Sequence, residues 1–194
     1  MFESFQKYLK DKIPLSDEES GMIQAVSVIK KLRKNQYLLQ EGDIWRFNAF
    51  VCQGCLRTYS VDDKGNEHII NFAQEGWWIG DRESLATGNP SKYNIDAVEE
   101  SIVLLINKDN FTILMKNIPQ FAELVIQIIE RSFVASQERI NANISGDAEK
   151  KYQYFMGKYP RLALRIPQHM IASYLGITPE TLSRVRKNYQ KKAK

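Results

Sequence analysis

One stretch of twenty residues, QHMIASYLGITPETLSRVRK at 168–187, admits few folds. Ile171, Leu175, Ile177, Leu182 and Val185 fall where two short helices would close a small apolar core. Ala172 is small at the point of closest approach. Gly176 lies between the two halves, where a left-handed backbone is cheap only for glycine. Thr178-Pro179-Glu180 has the grammar of a helix start: a capping hydroxyl, a ring that fixes φ in the first turn, and a carboxylate near the positive end of the helix dipole. Any two of these matches would be weak. The whole set in one register predicts a helix-turn-helix over an ordinary helical hairpin.

The second helix of that unit turns Thr178, Pro179, Glu180, Thr181, Ser183, Arg184 and Lys187 outward. Side chains that read bases in a major groove lie mainly on the N-terminal half of such a helix. Arg184 has the planar fork for a guanine edge, and Glu180 can accept from cytosine N4. Thr178, Thr181, Ser183, Arg186 and Lys187 suit phosphate contacts, which set register and affinity rather than sequence. Gln168 and His169, opening the first helix, are expected at backbone phosphate. Charge agrees: residues 147–194 hold 11 Lys and Arg against 3 Asp and Glu, whereas residues 1–146 hold 16 against 20. A basic segment on an acidic body is the footprint of a polyanion-binding module.

Upstream, the texture changes twice. Residues 1–24 show helical spacing and predict one or two short helices. From about 26 to 107, short β-rich runs (VSVIKKL, YLLQ, FNAFVC, CLRTYSV, HIINF, WWIG, NIDAV, SIVLLI) alternate with turn signals rich in Gly, Asn and Asp. This pattern predicts an antiparallel barrel or jelly roll, with its clearest hairpin at Asp63-Lys64-Gly65-Asn66. From about 108 the period is helical. A short helix over 108–116 precedes Pro119, which suits the first turn of a long one. Along that helix Ala122, Ile126, Ile129, Phe133, Ile140 and Ile144 recur at three, four or seven residues. The stripe either packs on its own barrel or, being longer than such a barrel, forms a coiled-coil-like dimer seam; the seam (Ala122, Ile126, Ile129, Phe133, Ile140) is the reading taken. Ser145-Gly146-Asp147 then breaks the pattern as a hinge, and Asp147 can cap the next helix. The expected fold class is α+β: a sensor domain over 1–117, a dimerisation helix over 118–145, and a reading head over 146–194.

Other chemistries find little support. Cys52 and Cys55 have CxxC spacing but no second pair, so neither zinc nor an iron–sulfur cluster is expected. They read as strand residues flanking a turn. His68 reads as a half-buried strand histidine rather than a haem ligand. No catalytic set is found, so the chain is read as no enzyme, with no metal. No apolar run reaches the roughly 20 residues of a membrane span, and the N-terminus does not resemble a signal peptide, so a cytoplasmic protein is expected.

The order of parts resembles the Crp/Fnr family of bacterial regulators, and IPQHMIASYLGITPETLSRVRK is the most specific stretch, similar to members from Bacteroidetes. Gly42-Asp43, Gly54-Cys55-Leu56-Arg57 and Gly80-Asp81 fall where that family's barrel turns lie. The resemblance implies a double-stranded β-roll of the cyclic-nucleotide-binding type, a homodimer along the long helix, promoter DNA as partner, and RNA polymerase as a further partner of an activator. It also locates a candidate effector pocket at Gly80, Asp81, Arg82, Glu83, Ser91 and Lys92. There the chain departs from the family pattern. Asp81 stands for a glutamate, and Ser91-Lys92 for an Arg-Ser or Arg-Thr pair whose guanidinium would hold a cyclic phosphate. Lysine is a point charge and no fork. Cyclic AMP is therefore not expected. Some other small anion at Arg82 or Lys92, or a barrel filled by its own Trp77 and Trp78, are the alternatives. A second departure follows Lys187, where the sequence reads NYQKKAK: the family's β-hairpin wing is expected to be missing or vestigial, with Lys191, Lys192 and Lys194 replacing its phosphate contacts. The rival functional reading is a small-molecule-sensing β-roll whose terminal helices contact a protein partner.

Overall fold

A computed structural model describes residues 2–192. The chain divides into two compact units, one of Met1–Ser60 with Ile70–Ile128, the other of Val61–Ile69 with Ile129–Lys194.

The first unit opens with α1 (Phe2–Lys10) and α2 (Asp17–Ala25). Ser16 and Glu19 start α2 as a reciprocal capping box, each side chain bonded to the other's backbone amide. Eight strands follow: β1 (Val28–Leu32), β2 (Tyr37–Leu39), β3 (Phe47–Gln53), β4 (Cys55–Val61), β5 (Glu67–Gln74), β6 (Trp78–Ile79), β7 (Asn94–Ala97) and β8 (Ser101–Asn107). Each lies on one of the β-rich runs of the sequence. They form two four-stranded sheets, ordered β1-β8-β3-β6 and β2-β7-β4-β5. The first sheet is antiparallel throughout, and β7 runs antiparallel to both β2 and β4. This is the expected jelly-roll layout.

Alternation along the strands sorts the core in two. Ala49, Val51, Val103 and Leu105 point between the sheets, where they meet Leu39, Leu56, Ile95 and Ala97. Phe50, Leu104 and Ile106 point the other way, onto α1, α2, and the helices that follow β8. Both faces of β3 and β8 are therefore buried, which is why these strands read as nearly continuous apolar runs. The helices that cover the outer face are α4 (Lys108–Asn117), capped by Asn107, and the start of α5 (Pro119–Ser145), whose first residue is the proline. Buried Arg57 and Asp96, paired across β4 and β7, form a bidentate ion pair at 2.8 and 2.9 Å, and the Arg57 guanidinium lies 4.2 Å from the Tyr59 ring centroid.

The tryptophans divide differently from expectation. Trp45 is buried between the sheets, and Trp77 packs, partly buried, against the same core. Trp78 instead joins Phe5, Phe50 and Phe111 outside the roll, because its strand neighbour Ile79 takes the inward position. A short helix, α3 (Arg82–Thr87), follows β6.

The second unit contains the rest of α5, then α6 (Ala148–Lys158), a 3-10 turn at Leu162–Leu164, α7 (Gln168–Leu175) and α8 (Pro179–Lys192). Asp147 caps α6 through the Lys150 amide at 2.9 Å. Phe155, Tyr159 and Tyr174 pack at tilted and edge-to-face angles into its aromatic centre and are nearly inaccessible. The tip of the β4–β5 hairpin, Val61–Ile69, belongs to this unit as well. There the Asp62 carboxylate accepts from the Lys64 and Asn66 amides and pairs with His68 Nε2, each at 2.9 Å. These bonds, that to His68 foremost, hold the Asp62 carboxyl below its ordinary ionisation range. His68 is thus a strand residue of β5, as expected, but exposed and not half-buried. Of the hairpin's Gly65 and Asn66, only Gly65 takes a positive φ. No described helix is long and apolar enough to cross a membrane.

Candidate nucleic-acid interface

The helix pair α7–α8 is assembled by the residues that the sequence pattern singles out. Ile171, Ala172, Leu175, Leu182 and Val185 are buried, and Ile177 is half-buried. Gly176 ends α7 in the left-handed region at φ 62°. Its amide donates to Ser173 O and the next amide, Ile177, to Ala172 O, both at 3.1 Å, so the orphan carbonyls of the helix end are met within the turn. Thr178 Oγ1 accepts from the Thr181 amide at 3.2 Å and so caps α8 ahead of Pro179.

The outward side of α8 presents Thr178, Pro179, Glu180, Ser183, Arg184 and Lys187 exposed, with Thr181 and Arg186 half-buried at its flanks. Arg184 Nη2 donates to Thr181 Oγ1 at 3.3 Å, which leans the guanidinium toward the N-terminal half of the helix. The Glu180 carboxyl is held below its ordinary range, chiefly by its own backbone amide and by Thr178, so it is an acceptor at neutral pH. His169 is exposed at the start of α7. Gln168 beside it is half-buried, with an Oε1 that is enclosed and lacks a hydrogen-bond partner. Beyond Lys187 the helix turns back to its own unit: Tyr189 meets Tyr152 edge-on at 5.4 Å and Asn188 bonds Glu149 at 3.2 Å. Lys191 is exposed on the last turn of α8 and Lys192 ends it; Lys194 lies outside the described residues.

Along α5, Ala122 is half-buried, whereas Ile126, Ile129, Phe133 and Ile140 are exposed. Phe133 is 62% accessible and Ile144, a turn beyond Ile140, 82%. Val134 widens the same apolar surface.

The candidate effector cassette is closed upon itself. Asp81 is buried and caps α3, accepting from the Glu83 and Ser84 amides at 2.9 and 3.1 Å. Its other oxygen accepts from buried Ser91 Oγ at 2.7 Å. Ser84 Oγ in turn accepts from the Trp45 amide and donates to Asn89 O. Gly80 lies so close to Trp45 that a Cβ there would fall 2.5 Å from the indole nitrogen. Lys92 and Glu83 face each other at 3.6 Å on the surface, and Arg82 is exposed. The six residues that the family resemblance groups lie on one short segment, where the polar atoms of Asp81 and Ser91 serve the loop itself. Cys52 and Cys55, neither in a disulfide, flank the Gln53-Gly54 turn, and no group of three or more His, Cys, Asp or Glu able to hold a metal occurs among the described residues.

Two residues that spacing does not reveal also belong to the head. Ser173, on the first helix, hydrogen-bonds backbone at Glu67 and Ile69, and Arg139 of α5 lies 4.3 Å from the Tyr174 ring centroid. Their partners are remote in the chain, so local pattern gives no signal for them.

Comparison with known proteins agrees with this architecture. Residues 29–117 match the model of the cyclic nucleotide-binding domain. The fumarate and nitrate reduction regulatory protein of Vibrio cholerae is 26% identical over 193 residues, covering 92% of this chain and 76% of the relative. The anaerobic regulatory protein of Pasteurella multocida is 25% identical, covering 92% and 70%. Among solved structures, FixK2 of Bradyrhizobium japonicum superposes with a TM-score of 0.75 at 19% identity, over 87% of this chain and 86% of that one. The catabolite activator protein of Thermus thermophilus gives 0.57 at 20% identity, over 92% and 85%. With a match to the cyclic nucleotide-binding domain over residues 29–117, a long helix, a C-terminal helical unit and similarity to regulatory proteins over 92% of its length, the chain is similar in sequence and fold to transcription regulators of the Crp/Fnr family.

Proposed function

We propose that this protein is a sequence-specific DNA-binding regulator that works as a homodimer paired along α5. The observation that carries the reading is the α7–α8 unit: a closed apolar core under one helix whose opposite side offers Arg184, Glu180 and a surround of hydroxyls and cations. Arg184 and Glu180 read base edges; Thr178, Thr181, Ser183, Arg186, Lys187, Gln168 and His169 meet the backbone. Two such units joined by a two-fold axis enter successive major grooves of a pseudo-palindromic site, about one helical turn apart. The apolar stripe from Ile126 to Ile144 supports the dimer, since a helix this exposed needs a partner for its apolar side. An activator built this way also contacts RNA polymerase.

Cyclic AMP is not its effector in this reading. The acceptor and hydroxyl that a nucleotide would need, Asp81 and Ser91, bond each other and the start of α3, and Lys92 is matched by Glu83. Binding there would cost the cap of α3 and expose a buried carboxylate.

The test is affinity for duplex DNA measured across a salt series. Each phosphate contact contributes a slope of about −0.9 in log K against log salt. With about six or more contacts per dimer, affinity falls roughly a thousandfold between about 50 and 200 mM salt. A shallow slope with no retained duplex favours the rival reading, in which the terminal helices contact a protein.

A further inference from the structure

We propose that Ser173 and Arg139 are positioning residues for the reading head, clasping it to the open edge of β5 so that α8 is held in the orientation that DNA requires. The inference rests on the proposed DNA-binding function and adds to it the device that orients the head.

The geometry starts from the hairpin. β5 is the last strand of its sheet. Asn66 O accepts from the Asp62 amide on the side of β4. Backbone groups alternate along a strand, so Glu67 and Ile69 turn theirs to the opposite, outer edge. Ser173 Oγ occupies that edge: it accepts from the Ile69 amide at 3.0 Å and donates to Glu67 O at 2.7 Å. One hydroxyl thereby fills the slot between residues i and i+2 that a neighbouring strand would fill. Arg139 Nη2 takes the next acceptor, Ile69 O, at 3.2 Å. The same guanidinium lies 4.3 Å from the ring centroid of Tyr174, which is buried beside Phe155 and Tyr159. Arg139 therefore touches the hairpin with one side and the head with another.

The clasp leaves the outward side of α8 free, with Glu180, Ser183, Arg184 and Lys187 all exposed while it is closed. It therefore does not mask the reading surface. Its effect is on orientation. α6 joins α5 only through Gly146 and Asp147, a break that by itself allows many orientations of the head. A head that occupies the competent orientation a fraction of the time binds more weakly by that fraction. Three edge hydrogen bonds and a cation over an aromatic ring, supplied by Ser173 and Arg139, remove that loss.

The experiment uses the full chain with Ser173→Ala, Ser173→Thr and Arg139→Gln. Amide hydrogen exchange at Ile69 reports the clasp, and affinity for a duplex selected by the unaltered protein reports its consequence. In the unaltered protein the Ile69 amide is protected despite its place on an edge. Ser173→Ala removes that protection while amides within α7 and α8 keep theirs, and operator affinity falls roughly tenfold with base preference unchanged. Ser173→Thr, which keeps the hydroxyl, retains both. Arg139→Gln, outside the helix pair, weakens binding in the same way and carries the test if Ser173→Ala unfolds α7. Equal Ile69 exchange in all proteins overturns the clasp. Unchanged or tighter DNA binding by Ser173→Ala and Arg139→Gln, with Ile69 protection lost, overturns its positioning role. Failure of the unaltered protein to bind any duplex removes the function itself, and the Ile69 exchange still reports whether the clasp exists.

Discussion

Tyr159 has an almost fully buried side chain whose phenol has no place to put a charge. Burial first, and the neighbouring Tyr174 second, push its ionisation far above the ordinary tyrosine value of about 10. The sign follows from the two states. Below about pH 10 the phenol is neutral both folded and unfolded, and the full stability of the head is present. Above that value only the unfolded chain ionises, so stability is lost as pH rises. An alkaline titration is expected to show Tyr159 ionising together with loss of helical circular dichroism. Ionisation of all nine tyrosines while the helices stay intact contradicts the packing described. Single residues also show what sequence reveals. Gly176 and Thr178 were legible because their roles depend on the backbone within three residues. Ser173, Trp45 and His68 were not. Ser173 bonds a residue 104 positions away, Trp45 is buried against residues from both sheets, and His68 is turned outward by a carboxylate across its own hairpin.

At the scale of elements, the eight described strands fell on β-rich runs separated by turn residues, and β3 and β8, buried on both faces, write the long apolar words. The helices over 108–117 and 119–145 were legible from the change of period and from Pro119. The 3-10 turn at Leu162–Leu164 is too short to carry a period and left no mark. α5 carries the next prediction. Its apolar side is exposed at Phe133 and Ile140, and pairing with a second copy would bury it. Phe133→Glu with Ile140→Glu is expected to shift sedimentation from dimer to monomer while far-ultraviolet circular dichroism is kept. Each fully buried side chain of this size is worth about 1.5–3 kcal/mol, and placing like charges across the seam adds to the loss. A double variant that still sediments as a dimer contradicts the seam.

For the whole molecule, the sequence showed the order of parts more clearly than their internal seams. Compactness divides the chain at Ile128–Ile129 within α5, and it groups the hairpin tip with the helical head rather than with the strands that continue from it. Neither division has a composition shift, since each falls inside a regular element. The candidate effector cassette at Gly80, Asp81, Ser91 and Lys92 came from the family resemblance alone, and only the fold shows Asp81 and Ser91 bonded to each other. The central claim is that the exposed side of α8 reads base pairs from two related heads. Selection of bound sequences from a random duplex pool tests it most directly. The account predicts an inverted repeat with half-sites about one helical turn apart. In Arg184→Ala it predicts relaxed preference at one base pair per half-site, costing about 1–3 kcal/mol there, with the rest of the repeat kept. A pool that yields no enriched sequence, or an Arg184→Ala protein that selects the same repeat with the same stringency, contradicts it.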